Sequence, residues 1–389
     1  MPPDEAILFG LCLCGYLFTG SLATLFPSIM PALIQGFGLK LAVVALIFPA
    51  NSAGTLIGGV LTGIWSDRVG RKPFFCGSAL LSGVGLMGAF SAHHWPLFVA
   101  SYLLIGVAQG ALSNSINALV LDLSALSNRG RSLNSLHGLY SLGATVSPFI
   151  IRAALGSTMN WRSVLFGAAV IWLALSLAAI GFRYPAPRIR SVQRRAFQAG
   201  LLTNSLFAML FVIAFLYNGV AWSLLGWVKE TLQRAGAHPA FASGMISLFY
   251  LGLTVGRFAC ATFSERLGYG KTLLLCAVGT TLAYPIATFG AQAWWIACGV
   301  FLNGLFLSGL YPIALACATR LFPNRTGTVT GTMAVAMTLG AALPPYWTGV
   351  IGGQWGLSIA LRLNYALVLF LTGISIAVLR REARRQVQA

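Results

Sequence analysis

Long apolar stretches alternate with short polar breaks along the chain, and the breaks are too closely spaced for soluble domains to fit between them. A hydrocarbon core about 30 Å thick is crossed by about 20 helical residues. Twelve stretches meet that length, near residues 6–34, 40–65, 73–92, 96–122, 131–154, 162–184, 200–228, 240–264, 271–290, 293–321, 326–351 and 355–380. In lipid each must be a helix, because only a helix satisfies its own backbone polar groups without a partner strand. Pro27 and Pro31 fall within the first stretch and predict a bend near its C-terminal end. The longest polar interruption, residues 185–199, is rich in proline and arginine and predicts a linker. The pattern therefore predicts an all-α membrane protein of twelve transmembrane helices. Its parts are an N-terminal six-helix bundle over 1–184, a linker over 185–199, and a C-terminal six-helix bundle with a basic tail over 200–389.

Composition agrees: 57% of the 389 residues are hydrophobic and 8% charged, with mean hydropathy +0.81, more apolar content than a water-soluble core hides. A net charge of +18 would point to nucleic acid in a soluble protein, but its distribution gives another meaning. With the spans above, 18 of the 25 lysines and arginines fall on the side that holds both termini, six fall on the other, and Arg257 lies within a span. That bias places both termini in the cytoplasm and the protein, multi-pass, in the plasma (inner) membrane, with the bilayer and no nucleic acid as its partner. Residues 1–5 lack a basic n-region, so no cleavable signal is expected. The seven cysteines lie in apolar segments and read as small buried hydrophobes, with neither a disulfide frame nor a metal site.

The second half repeats the first. At an offset of 198 residues Gly54, Gly58, Ser66, Asp67, Arg68, Gly70 and Gly106 fall on Gly252, Gly256, Ser264, Glu265, Arg266, Gly268 and Gly304; at 197, Gly143 and Pro148 fall on Gly340 and Pro345. Two pseudo-symmetric bundles of this kind imply a transporter with its solute site between them near mid-membrane. Glycines 54, 58 and 59 allow helix backbones to approach closely. Gly70 permits a tight turn, and Asp67 calls for a positive counterpart.

The order Gly63-x-x-x-Asp67-Arg68-x-Gly70-Arg71-Lys72 resembles the signature loop between the second and third helices of the major facilitator superfamily. The resemblance extends over nearly the whole chain. Tyr217-Asn218-Gly219-Val220-Ala221-Trp222 and His137-Gly138-Leu139-Tyr140 further resemble the fucose/proton-symporter branch, which includes sugar carriers. Two positions depart from that branch: Ser113 and Ala221 stand where it carries acids, so its proton coupling does not transfer.

Ionisable groups within a bilayer are costly, so each is a candidate for function. Asp122 at the end of span 4 is expected near Arg68 and Arg71 as an ion pair. With Asp67, Gly70, Glu265 and Arg266 it would form a cytoplasmic gate that opens and closes as the halves rock. Arg257, about 12 Å along its helix from Glu265, is weighed evenly between an anion site and a structural arginine. His137 could titrate near neutral pH, though a lone helical histidine is more often a packed residue. Neutral polar and aromatic candidates for solute contact are Asn114, Asn117, Tyr217, Asn218, Trp222, Asn303 and Tyr311, with Tyr16, Thr19, Thr24, Gln109, Ser113, Asn204 and Ser308 beside them. About half of this set is expected to line a cavity and the rest to hold helices together. Asn114 and Asn117 share one helix face.

No nucleophile–base–acid set and no phosphate loop is present, so neither an enzyme nor a cofactor is expected. The reading is a monomeric secondary active transporter moving a small polar solute, sugar-like or an organic anion, by alternating access with a coupling ion. The alternatives are a drug/proton antiporter of the same superfamily, which usually carries Gly-Pro in span 5 where this chain has Ser147-Pro148, and a membrane sensor that has lost transport.

Overall fold

The structure, a computed structural model, describes residues 3–124, 129–156, 160–185 and 199–388. Nearly all of the expected linker, residues 186–198, lies outside the described residues, as do the side chains of Asp67, Arg68 and Glu265. Among the described residues the regular structure is helical, and twelve segments are long and apolar enough to cross a membrane.

Two compact units divide the chain: Met1–Leu39 with Leu46–Arg194, and Lys40–Ala45 with Arg195–Ala389. The first contains α1 (Pro3–Phe37), α3 (Ile47–Val69), α4 (Arg71–Phe90), α5 (Trp95–Leu123), α6 (Arg129–Gly156) and α7 (Trp161–Ile180). The second contains the single turn α2 (Leu41–Val44), then α8 (Ser205–Arg234), α9 (Pro239–Leu267), α10 (Tyr269–Phe289), α11 (Ala293–Leu307), α12 (Leu310–Leu321), α13 (Thr326–Trp355), α14 (Leu357–Leu363) and α15 (Tyr365–Gln388). Three of the stretches that read as single spans are thus broken: α2 from α3, α11 from α12 at Ser308-Gly309, and α14 from α15 at Asn364. The first break also moves residues 40–45, which read as part of the first bundle, into the second unit. There Ala45 and the indole of Trp227 occupy the space beside Gly349 that a side chain would fill.

The charged turn is tighter than the sequence implies. Helix α3 runs on to Val69, so Asp67 and Arg68 ride its last turn, and Gly70 by itself reverses the chain into α4. Its φ of 97° is a conformation that side chains disfavour. Its N–H donates to the Ser66 carbonyl at 3.1 Å. Gly268 does the same between α9 and α10, with φ 85° and a 3.0 Å bond to Ser264.

Without a water-driven hydrophobic force between helices in lipid, association depends on close backbone packing. The repeated glycines supply it at equivalent places. A Cβ at Gly54 or Gly58 of α3 would overlap the carbonyl oxygens of Leu103 and Val107 of α5; one at Gly252 or Gly256 of α9 would overlap those of Phe301 and Leu305 of α11. Both sets of partners, like the glycines, are 198 residues apart. Gly106 and Gly304 close the reverse contacts, against Asn51 and Phe249. Gly59 departs from the expectation, meeting only the Asn114 amide.

Forcing a methyl into such a contact costs about 1–3 kcal/mol. Gly256→Ala should therefore lower the thermal unfolding midpoint of the detergent-purified protein by several degrees. Gly244→Ala, on the same helix with nothing within 4 Å of an added Cβ, should leave it unchanged or raise it. Equal effects of the two would contradict the packing account.

Candidate functional site

In the first unit a polar and aromatic cluster joins three helices. The Tyr16 hydroxyl of α1 lies 3.2 Å from Ser113 Oγ of α5 and accepts a hydrogen bond from Asn117 Nδ2 at 2.9 Å. Two rings of α6 enclose Tyr16, His137 edge-on at 5.3 Å between centroids and Tyr140 tilted at 5.9 Å. Tyr16 is buried, Ser113, Asn117 and Tyr140 are half-buried, and His137 is exposed. A polar side chain exposed on a membrane span turns toward water and not toward acyl chains, so His137 marks the wet side of this cluster. Tyr16 and Tyr140 supply ring faces, while Asn117, Ser113 and His137 supply neutral donors and acceptors.

Asn114 does not join them. Its amide donates to the Gly59 carbonyl of α3 at 3.0 Å, whereas Asn117 reaches Tyr16, so two residues read as sharing one face serve different neighbours. The approach of α3 to α5 brings that carbonyl within reach of Asn114. Two other candidates hold helices together, Thr24 with Ser147 Oγ at 2.5 Å and Gln109 with Ser82 at 3.1 Å, while Asn204 caps the N-terminus of its own helix α8.

In the second unit Tyr217 of α8 stacks on Tyr311 of α12, with centroids 6.2 Å apart and planes 13° from parallel. Tyr311 occupies the position equivalent to Ser113, so the α8–α12 pair carries a ring contact where α1–α5 carries a hydrogen bond. Asn218 donates to the Met337 carbonyl of α13 at 2.6 Å. Trp222 is half-buried one turn further along α8, and Arg257 is half-buried on α9. Asn303 does not belong to this set. It is fully buried and its Nδ2 donates to the Gly299 carbonyl of its own helix at 2.8 Å.

At the Gly70 end of the first unit, Arg71 Nε lies 3.3 Å from Asp122 Oδ2 and Arg71 Nη1 donates to Ser66 Oγ at 2.6 Å. Ser115 Oγ reaches the Arg71 carbonyl at 3.4 Å. The pair expected from the sequence thus forms between α4 and α5. Asp67 and Arg68 lie in the last turn of α3 and Glu265 in that of α9, with their side chains outside the described residues, and Arg266 is exposed. In the second unit the equivalents of Arg71 and Asp122 are Tyr269 and Arg320. The guanidinium sits 4.1 Å from the Tyr269 ring centroid and donates to its hydroxyl at 3.1 Å. A cation–π contact replaces the ion pair in the same place.

The family model described as Major Facilitator Superfamily matches residues 12–229 and 207–388. The chain belongs to the Major Facilitator Superfamily. It is a multi-pass membrane transporter and not an enzyme. Among curated members it is 25% identical over 327 residues to the 3-(3-hydroxy-phenyl)propionate transporter of Escherichia coli (strain K12), covering 81% of this chain and 79% of that one. It is 22% identical to the glucose/mannose transporter GlcP of Bacillus subtilis (strain 168), covering 96% of each. Among solved superfamily folds, a mutant of the nucleoside transporter NupG superposes with TM-score 0.83 at 14% identity, over 96% of this chain and 99% of that one. FucP in its outward conformation superposes with TM-score 0.64 at 17% identity, over 96% and 99%.

Sequence reasoning missed Tyr140, Tyr269 and Arg320 as members of these clusters. The repeat offset applied to Arg71 and Asp122 would have found the last two. Tyr140 has no such signal, because its contact depends on how α6 is rotated against α1. Both members of the Arg71–Asp122 pair keep under a fifth of their side-chain surface exposed. A thermal double-mutant cycle with Arg71→Gln and Asp122→Asn should give a coupling on the order of 1 kcal/mol. Strict additivity would show that the pair contributes nothing.

Proposed function

We propose that this superfamily member is a secondary active transporter, working by alternating access, whose solute is a neutral or anionic ring-bearing molecule: an aromatic carboxylate or a sugar. The observation that carries this reading is where charge stands. All seven acids lie at helix ends: Asp4 and Glu5 in the first turn of α1, Asp67, Asp122, Glu230 and Glu265 at or beside the last turns of their helices, and Glu382 at the end of the final span. Arg257 lies about 15 Å from the end of α9, deep within its span. A cationic solute would find no carboxylate beside it in mid-membrane, which disfavours a cationic-drug antiporter. An anion would find a guanidinium.

In this reading Tyr16, Asn117 and His137 of the first unit and Tyr217, Asn218, Trp222, Tyr311 and Arg257 of the second contact the solute. Asp67, Arg68, Gly70, Arg71 and Asp122 are the gate residues of the first unit, and Glu265 and Arg266 those of the second. The relatives that handle an aromatic propionate and hexoses support both solute classes, and Arg257 favours the acid. The excess of positive charge on the side of both termini supports an inner-membrane protein with cytoplasmic termini, and in this reading it acts as a monomer. A coupling ion is part of this reading, and no carboxylate stands in mid-span to carry it as a proton.

Proteoliposome uptake of hydroxyphenyl-propionate, benzoate derivatives and hexoses tests the reading. Flux of at least one class is expected, and ligand-induced thermal stabilisation without flux of any would favour a sensor. Arg257→Ala should reduce uptake of an aromatic acid at least tenfold while changing hexose uptake by less than threefold. Equal loss for both solutes would make Arg257 structural. Tyr16→Phe removes the acceptor for Asn117 and should raise KM several-fold with little change in the unfolding midpoint.

A further inference from the structure

The thiols of Cys260 on α9 and Cys276 on α10 face each other with their sulphurs 3.8 Å apart. Their register follows from the turn. Gly268 joins the two antiparallel helices, and the two cysteines stand eight residues before and after it, each about 12 Å from the turn. Equal distances along adjacent antiparallel helices bring them to the same level.

A third element completes the setting. Gly309 lies at the break between α11 and α12, and a Cβ there would sit 2.5 Å from the Cys260 sulphur and 3.0 Å from that of Cys276. The absent side chain leaves a notch that the two sulphurs occupy together. Cys276 is buried, whereas Cys260 is half-exposed on the surface of its unit, so the pair is open along one side. The fold does not require thiols here, since the equivalent residues in the first unit are Thr62 and Ser78, and Thr62 bonds to its own helix at Gly58.

We propose that Cys260 and Cys276 form a two-thiol site for a soft, thiophilic ligand of the trivalent organoarsenic class. An aryl arsenoxide condenses with both thiols: two S–H bonds break, two As–S bonds form, and the oxide oxygen leaves as water with both protons. Arsenic stays trivalent, so no oxidant is needed. A bridging atom also asks less closure of the sulphurs than a disulfide, whose S–S distance is about 2.05 Å. Both cysteines lie within membrane spans, so a neutral lipophilic reagent reaches them where a charged one does not. The site rests on no assumption about the transported solute.

The test uses the full-length protein in liposomes with phenylarsine oxide. Intact mass should show one phenylarsenic equivalent that survives excess 2-mercaptoethanol and is released by 2,3-dimercaptopropanol. Peptide mapping of the unaltered protein should show Cys260 and Cys276 together protected from N-ethylmaleimide. Cys260→Ser and Cys276→Ser should each lower monothiol-resistant retention at least tenfold, and Cys12→Ser should not. Retention undiminished in either single variant, protection of other cysteines in place of these, or alkylation of both thiols after arsenical treatment would each overturn the proposal.

Discussion

A hydrocarbon layer does not tolerate an uncompensated charge or an unpaired backbone amide, and that intolerance orders this protein from end to end. Every span is a helix because a helix satisfies its own amides. Carboxylates stand toward the ends of the spans, and Glu230, 2.5 Å from Arg234, and Asp122, beside Arg71, each have an oppositely charged neighbour there. Arg257 is the exception, about 15 Å from the end of α9.

The same solvent removes the hydrophobic force that assembles helices in water. Backbone contact replaces it, and the glycines of α3, α5, α9 and α11 are the means. Their contacts repeat at the interval of the sequence repeat, down to the carbonyl that each would strike. Geometry is therefore what the two halves share. Chemistry is what they do not: an ion pair in one half corresponds to a cation–π contact in the other, Ser113 to Tyr311, and Thr62 with Ser78 to a pair of thiols. A duplicated scaffold fixes the helix spacings and leaves the side chains at equivalent positions free to take different roles.

Membership of a transporter superfamily accounts for this division. Relatives that carry a phenolic propionate and hexoses differ in solute charge, yet their chains align with this one over most of their length.

Composition, span length and the 198-residue repeat determined the twelve spans and the glycine contacts, and span ends brought Asp122 to the turn that holds Arg68 and Arg71, because lipid solvation and backbone sterics act locally and leave a period in the chain. The single-residue turn at Gly70 was nearly legible; only its extent was misjudged, since α3 stays helical through Asp67 and Arg68. Helix rotation decided the rest. It sends Asn114 to Gly59 and Asn117 to Tyr16, buries Asn303 among helices, brings Tyr140 to Tyr16, and sets Cys260 against Cys276. Which face of an apolar helix turns inward depends on all its neighbours at once, and in a span apolar on nearly every side the sequence carries little amphipathic signal to reveal it.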